Sequence, residues 1–195
     1  MKGKLLDEGG LSSPNVRRVK MRKVKVNYTD YLKETLQAMS NTGLLLTSAD
    51  KKGKMNVMTI GWGTVGIIWG MPMFLVLVRP SRFTYDLIEE TGEFTVNVPP
   101  RRLSEITFFC GSVSGREHDK FKEKGLTPIA GENVISPIIE ECVVHYECKV
   151  LHKNDVIPAR VPEEVISKFY PQGDYHRIFF GRIISVFANR EVKID

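Results

Sequence analysis

Most of the regular structure predicted by the pattern of apolar and polar residues is β-strand. Short apolar or alternating runs recur along the chain, separated by turn-forming residues. The predicted strands are Arg17–Val26, Gly43–Ala49, Met55–Ile60, Phe74–Val78, Glu93–Val98, Cys142–His152 and Tyr175–Ala188. Three helices are predicted: one capped by Asp30 that extends to about Met39, one over Tyr85–Glu90, and one over Arg101–Cys110 that is ended by Gly111. Many strands with few helices predict a mainly β protein, a closed or nearly closed barrel with short helical inserts.

The stretch from Met55 to Asp86 has the features of a binding site for a flat ring with a phosphate tail. It is predicted to form an apolar strand, a glycine-rich bend over Gly61–Gly66 and a second apolar strand. The basic turn Arg79–Thr84 then leads into a short helix, whose first N–H groups can bind an anion. We interpret the apolar floor, the bare glycine backbone and the cationic and hydroxyl donors as a flavin site.

The same glycines match the dinucleotide-binding fingerprint G-x-G-x-x-G, at Gly61, Gly63 and Gly66. That fingerprint requires the third glycine to lie in a helix whose N-terminus faces the pyrophosphate. Gly70 and Pro72 would break such a helix within its first turns. We therefore predict a bend in the strand and no Rossmann fold.

Composition is that of one soluble domain with a sizeable core. The chain has 195 residues, of which 42% are hydrophobic and 26% charged. We predict an N-terminal arm and basic strand over residues 1–26 and a single domain over residues 27–195. The N-terminus lacks an apolar signal region, and the longest apolar stretch, Val65–Val78, is too short to span a bilayer. We expect a cytoplasmic protein that does not contact a membrane.

The net charge of +5 is concentrated in the segment Arg17–Val26. One interpretation is a strand with a solvated basic face, and the alternative is a nucleic-acid footprint. No aromatic residue is interleaved in the segment and no recognition helix accompanies it, so we favour the strand. A positive field would also attract a phosphorylated cofactor.

Cysteine and histidine residues raise two further hypotheses. A helix would place on one face the side chains of four potential metal ligands, Cys142, His145, Cys148 and His152. The segment alternates like a strand, in which the six residue steps from Cys142 to Cys148 span about 20 Å, so no metal site is expected. Cys110 lies at the end of a helix, where the dipole raises the pKa of a thiol, and we expect a packing residue beside the pocket.

Several residues near the bend have two open interpretations. Ser81, Arg82 and Thr84 would hold a phosphate, or would form an ordinary helix start with a solvated arginine. Arg79 could take the place of Arg82. Trp62 would be either a core aromatic or a lid over a bound ring. His176 would be either a polar or proton-donating group at the mouth of the site or an ordinary surface histidine.

The order of these motifs resembles the flavin reductase-like, FMN-binding split-barrel family. The segments that carry the resemblance are Asn56–Gly63, Met71–Pro72, Arg79–Thr84, Phe94–Pro99, Ser114–Phe121 and Gly173–His176. The resemblance covers residues 30–188. It implies a six-stranded Greek-key split β-barrel, a homodimer and one FMN per subunit near the dimer interface.

The resemblance also implies the residues around the cofactor. Those expected to line or surround FMN are Val57, Met58, Thr59, Ile60, Gly61, Trp62, Arg79, Ser81, Arg82, Thr84, Asn97, Cys110, Gly111, Ser114, Gly115, Arg116 and Lys120. His176 follows a motif one residue longer than the family's Gly-Asp-His and is the candidate catalytic residue. The segment Val156–Gln172 is expanded, and a cover over the site would restrict the second substrate.

By this resemblance, the chain is expected to be an FMN-dependent oxidoreductase reduced by NADH or NADPH. A close variant is a flavoredoxin-type electron carrier reduced by a protein redox partner. Flavin chemistry needs no catalytic triad, because the protein binds, orients and tunes the ring. The alternative from another class is a non-enzymatic basic β-barrel that binds nucleic acid.

Overall fold

The computed structural model describes residues 23–189, and its main feature is a large antiparallel sheet with helices packed against it. The strands are β1 (Val24–Lys25), β2 (Leu44–Ala49), β3 (Met55–Ile60), β4 (Gly63–Ile68), β5 (Met71–Val78), β6 (Glu93–Val98), β7 (Pro128–Ile129), β8 (Ile138–Ile139), β9 (Val144–Asp155) and β10 (Arg177–Ala188). The helices are α1 (Leu32–Asn41), α2 (Phe83–Thr91), α3 (Ser104–Ser112), α4 (Lys120–Lys124) and α5 (Glu163–Phe169). Two 3₁₀ turns cover Arg101–Leu103 and Pro158–Arg160.

The large sheet is open rather than closed. Its strands lie in the order β3-β2-β6-β9-β10-β5-β4, and β1 pairs with β10. The end strands β3 and β4 are not paired with each other in the part of the chain that the structure describes. β7 and β8 form a separate two-stranded sheet. The prediction of a mainly β fold is confirmed, with eight strands in the large sheet rather than six.

Strand β4 was not predicted, because its glycines indicated a bend. The backbone turns only at Gly61 and Trp62, and Gly63–Ile68 pairs along its whole length with β5. A Cβ on Gly63 would lie 2.6 Å from the Leu75 carbonyl oxygen, so this glycine permits close strand approach. Trp69 and Gly70, both with positive φ, form the two-residue turn between β4 and β5. No helix follows Gly66, in agreement with the absence of a Rossmann fold.

The predicted end of α3 at Gly111 is wrong, since the helix continues to Ser112. A Cβ on Gly111 would lie 3.1 Å from the Cβ of Thr59 in β3. The glycine therefore serves the close packing of the helix on the strand rather than its termination. The N-cap residue of α1 is Tyr31 rather than the predicted Asp30, whose carboxylate instead accepts a hydrogen bond from the N–H of Asn27 at 3.0 Å.

The apolar core lies on both faces of the sheet. The larger cluster contains Phe74, Phe94, Tyr146 and Phe179, all fully buried, with the rings of Phe74 and Tyr146 in edge-to-face contact at 5.2 Å. The smaller cluster joins β2 and β3 to α3 and α4. Strand β3 packs in both clusters, through Ile60 in the larger and Val57 in the smaller, and its end forms one wall of the cavity described below.

At the N-terminus, only part of the predicted basic strand belongs to the described residues. Val24 and Lys25 form β1, while residues 17–22 lie outside the described range. The Lys23 ammonium is partly buried and donates to the carbonyls of Ile139 and Glu140, both at 3.2 Å. Within residues 23–189, no helix has the length and apolar character needed to cross a membrane.

Candidate functional site

A cavity of about 250 Å³ opens at the end of β3, beside the turn from β5 to α2. The end of α3 and the loop that follows it form the opposite wall. Lys120 at the start of α4 and His176 just before β10 close two sides. The lining residues are Asn56, Met58, Thr59, Ile60, Gly61, Trp62, Leu77, Arg79, Ser81, Arg82, Phe83, Thr84, Cys110, Gly111, Val113, Ser114, Gly115, Lys120 and His176.

One end of the cavity, which we call the anion corner, consists of Ser81, Arg82, Lys120 and the first turn of α2. Arg82 is the N-cap residue of α2, and its own side chain does not cap this helix end. The first N–H groups of a helix carry partial positive charge and bind anions. The corner therefore combines a helix N-terminus with a hydroxyl, a guanidinium and an ammonium.

Lys120 brings a buried cation to this corner. Its side chain is only 4% exposed, and its ammonium donates to the Cys110 carbonyl oxygen at 2.7 Å. Burial, with the nearby Arg82 guanidinium, lowers the pKa of Lys120 to about 8, against the opposing influence of Cys110. The group is still largely charged at neutral pH. A buried ammonium acts more strongly on an anion than an exposed one, because water screens it less.

The floor beside the anion corner is fixed by Asn56 and Thr84. Both are buried, and the Asn56 amide nitrogen donates to the Thr84 hydroxyl oxygen at 2.8 Å. Gly115 lies directly above, where a Cβ would be 2.0 Å from the Asn56 side-chain oxygen. Any side chain at Gly115 would therefore displace this pair.

The other end of the cavity is aromatic. The Trp62 ring contacts Phe169 and His176 at centroid distances of 5.1 and 4.9 Å. Tyr170 lies behind them, and its hydroxyl is 2.9 Å from Nδ1 of His176. Phe169 and Tyr170 belong to the expanded segment, which does not line the cavity but packs against two residues that do, Trp62 and His176. Trp62 is 38% exposed and forms a side wall rather than part of the core.

Arg79 binds the expanded segment, Val156–Gln172, to the rim of the cavity. Its guanidinium donates to the carbonyl oxygens of Phe169 and Asp174 at 2.8 and 2.9 Å, and it stacks over the Tyr170 ring. Of the two arginines between which the sequence does not decide, Arg79 is engaged with the protein. Arg82 lies at the helix start and is the better placed to meet an anion.

Comparison with known proteins agrees with this geometry. Residues 36–194 match the family described as "Flavin reductase like domain". The chain belongs to the flavin reductase-like family. An uncharacterized protein of Archaeoglobus fulgidus is 30% identical over 166 residues, which cover 85% of this chain and 79% of the relative.

Two solved structures of similar proteins have the same fold as this chain. Flavoredoxin from Methanosarcina acetivorans is 30% identical, with 76% of this chain and 69% of that chain covered and a TM-score of 0.60. The FMN-binding domain of a flavin reductases-like enzyme from Shewanella baltica covers 90% of this chain and 81% of that chain, with a TM-score of 0.63. At 21% identity, the second likeness concerns the fold alone. The open sheet is the split barrel of this family.

Most of the site residues expected from the family resemblance meet at the cavity. Three do not line it: Val57, Asn97 and Arg116. The Val57 side chain faces the smaller apolar cluster, because neighbouring strand residues alternate between faces. The Asn97 amide is fully buried and ties β6 to the Leu45 carbonyl, the Ile139 N–H and the His145 ring, so it has a structural role.

Arg116 lies outside the cavity but supports its rim. Its guanidinium donates to the Ser81 carbonyl oxygen and to the Asp86 carboxylate, both at 2.7 Å. Four lining residues were not expected from the sequence: Asn56, Leu77, Phe83 and Val113. Asn56 could have been found, because it shares a strand face with Met58 and Ile60.

The cysteine and histidine segment is a strand, as expected. Cys148 and His145 are fully buried in β9, and burial raises the pKa of Cys148 and lowers that of His145. Among residues 23–189, no group of three or more metal-ligating side chains is arranged to hold an ion. Cys110 is buried at the cavity wall, and burial raises the pKa of its thiol to about 11. This thiol is therefore not activated as a nucleophile.

His176 is neutral at physiological pH. Burial and the nearby Arg79 guanidinium lower the pKa of its imidazole to about 4, although Asp174 acts in the opposite direction. At pH 7 the ring is therefore a neutral hydrogen-bonding group rather than an imidazolium acid. Its proposed catalytic role stays a prediction.

The lowered pKa of His176 predicts a loss of stability in acid. Below pH 6.5 the unfolded chain takes up a proton that the folded chain accepts only near pH 4, so the contribution is present above pH 6.5 and lost between these values. We expect His176→Gln to remove roughly 2–3 kcal/mol of the fall in unfolding free energy between pH 7 and pH 4. Urea unfolding of both proteins at the two pH values measures this difference. An equal acid loss in both would contradict the assignment.

Proposed function

We propose that the cavity binds FMN and that the protein is an FMN-dependent oxidoreductase. NADH or NADPH would supply the electrons, or a protein redox partner would do so in a flavoredoxin-type carrier. The main observation in support of this proposal is that a single cavity contains both the anion corner and an aromatic and apolar wall. A flavin mononucleotide has the matching parts, a phosphate tail and a flat ring.

The residues present fit the cofactor. In the anion corner, the Ser81 hydroxyl, the Arg82 guanidinium and the first N–H groups of α2 would bind the phosphate. Gly115 leaves space above Asn56 that any Cβ would fill. Met58, Ile60 and Trp62 would lie along the ring and fix its orientation. The family's relatives with FMN-binding names support the same cofactor.

When bound, FMN accepts a hydride or passes single electrons. The protein's part is to bind and orient the ring and to tune the charge around it. The Lys120 ammonium would stabilise negative charge on the cofactor, because it is buried and fixed by the Cys110 carbonyl. The neutral His176 would offer a hydrogen bond at the aromatic end, where its Tyr170 contact holds the ring orientation.

A homodimer with the cofactor near the interface belongs to the proposal. The cavity, at about 250 Å³, lies below the range of roughly 300–1,000 Å³ typical of pockets that bury most of a ligand. A bound FMN would therefore remain partly uncovered by this chain. A second copy over the opening would complete the site.

The visible spectrum of the purified protein tests this function. We expect a yellow protein whose heat-released chromophore is FMN, in a ratio near one per chain. A colourless protein that also fails to take up added FMN would overturn the proposal. Rapid mixing of the oxidised holoprotein with NADH and NADPH then separates the two variants, since bleaching indicates a reductase and its absence a carrier reduced by another protein.

A further inference from the structure

The carboxylate of Asp174 accepts hydrogen bonds from Ser81, a residue of the anion corner. Its Oδ2 accepts a hydrogen bond from the Ser81 hydroxyl at 2.6 Å, and its Oδ1 accepts one from the Ser81 N–H at 3.2 Å. A carboxylate that receives a hydroxyl and a backbone N–H makes the contacts that a phosphate oxygen would make. The side chain is thus an anion of the protein itself in the place assigned to the cofactor's tail.

We propose that Asp174 competes with the FMN phosphate for Ser81 and thereby limits the affinity for the phosphorylated flavin. This inference rests on the proposed function. The Ser81 hydroxyl has one proton and can donate it to only one acceptor. The carboxylate and the phosphate would also repel each other if both lay against Ser81, so binding of the phosphate requires the carboxylate to move away.

The carboxylate can leave without loosening the segment that carries it. The main chain there is held separately by Arg79, which donates to the carbonyl oxygens of Asp174 and Phe169. The adjacent Tyr175 ring stacks on Tyr170 at 4.7 Å. A rotation of the exposed Asp174 side chain therefore frees Ser81 while the segment stays on the rim.

The backbone at this position favours a small polar residue. Asp174 has a φ of 53°, in the left-handed region that aspartate and asparagine tolerate better than most other residues. Asp174→Asn therefore keeps the backbone and the shape of the side chain, removes its charge and replaces one of its two accepting oxygens by an N–H donor. This makes it a suitable variant for testing competition.

The test compares FMN with riboflavin, which has the same ring and no phosphate. The full-length protein is freed of flavin, and both affinities are measured by fluorescence titration. We expect Asp174→Asn to bind FMN roughly five- to tenfold more tightly and riboflavin within about twofold of the parent protein. The ratio of the two affinities reports the phosphate contact alone, because any effect on the ring site cancels.

Glu90→Gln is the control. Glu90 is an exposed carboxylate near the other end of α2, where it accepts a hydrogen bond from the Lys51 N–H, and Ser81 is not its partner. We expect a change of less than about twofold in the ratio, since this charge makes no contact in the anion corner and is screened by solvent. An equal rise in both variants would show a general field effect and would overturn the competition.

The remaining outcomes are also decisive. A lower or unchanged ratio in Asp174→Asn would mean that the carboxylate positions Ser81 or has no influence, and either result overturns the inference alone. Failure of the parent protein to bind either flavin would overturn the proposed function and the inference with it.

Discussion

Lys120→Met is expected to lower the affinity for FMN by roughly ten- to a hundredfold. Methionine keeps the length of the apolar stem but removes the buried ammonium and its charge-assisted hydrogen bonds, each of which contributes about 1.5–3 kcal/mol. Titration of the flavin-free variant with FMN measures the loss. Lys122→Met is the control, because Lys122 belongs to the same short helix but is exposed. An FMN affinity equal to that of the parent would contradict the role of Lys120.

The pH dependence of binding provides a second readout of the same prediction. With a pKa of about 8, Lys120 is protonated below that pH and becomes neutral above it. A bound phosphate would raise this pKa, so FMN affinity should fall above pH 8, by at most about tenfold per pH unit. In Lys120→Met this fall should disappear. A pH dependence that persists in the variant would assign it to another group.

Gly181→Ala is expected to destabilise the fold by about 1–3 kcal/mol. Gly181 interrupts β10 at a register shift, and a Cβ there would lie 2.3 Å from the Phe94 ring and 2.9 Å from the Cβ of Cys148. Both neighbours are fully buried and cannot move without opening the core. Thermal unfolding should show a fall in Tm of roughly 3–10 °C.

Gly66→Ala is the control for this substitution. Gly66 also lies in a strand of the same sheet and has no positive φ, but nothing lies within 4 Å of the position that its Cβ would take. We expect a Tm within about 2 °C of the parent protein. Equal losses in the two variants would attribute the effect to strand propensity and contradict the close approach of Phe94 to Gly181.

Local sequence signals predicted the elements that depend on neighbouring residues. The strands Met55–Ile60 and Glu93–Val98 and the short helix predicted over Tyr85–Glu90 all appear in the structure close to their expected bounds. Strand β4 was missed, because a glycine permits either a bend or a close approach. Which of the two occurs depends on β5, the strand against which β4 packs.

The sequence likewise predicted some parts of the candidate site and missed others. The order of motifs indicated the Arg79–Thr84 turn and the glycine bend, because a phosphate and a flat ring require recognisable residue types. Asn97 was assigned to the site by its motif, yet its amide binds core groups far away in the chain. The contact of Asp174 with Ser81 joins residues 93 positions apart and has no local signal.

The mainly β character of the chain, the basic turn before a short helix and the order of the family's motifs can all be read from the amino-acid sequence. These properties follow from side-chain periodicity and backbone preference, which act over a few residues. The three-dimensional fold was needed to see that Lys120 is a buried cation, that Arg79 holds the segment beside the cavity, and that Asp174 contacts Ser81. Burial and long-range pairing depend on which distant elements meet, and the local pattern of residues does not encode that choice.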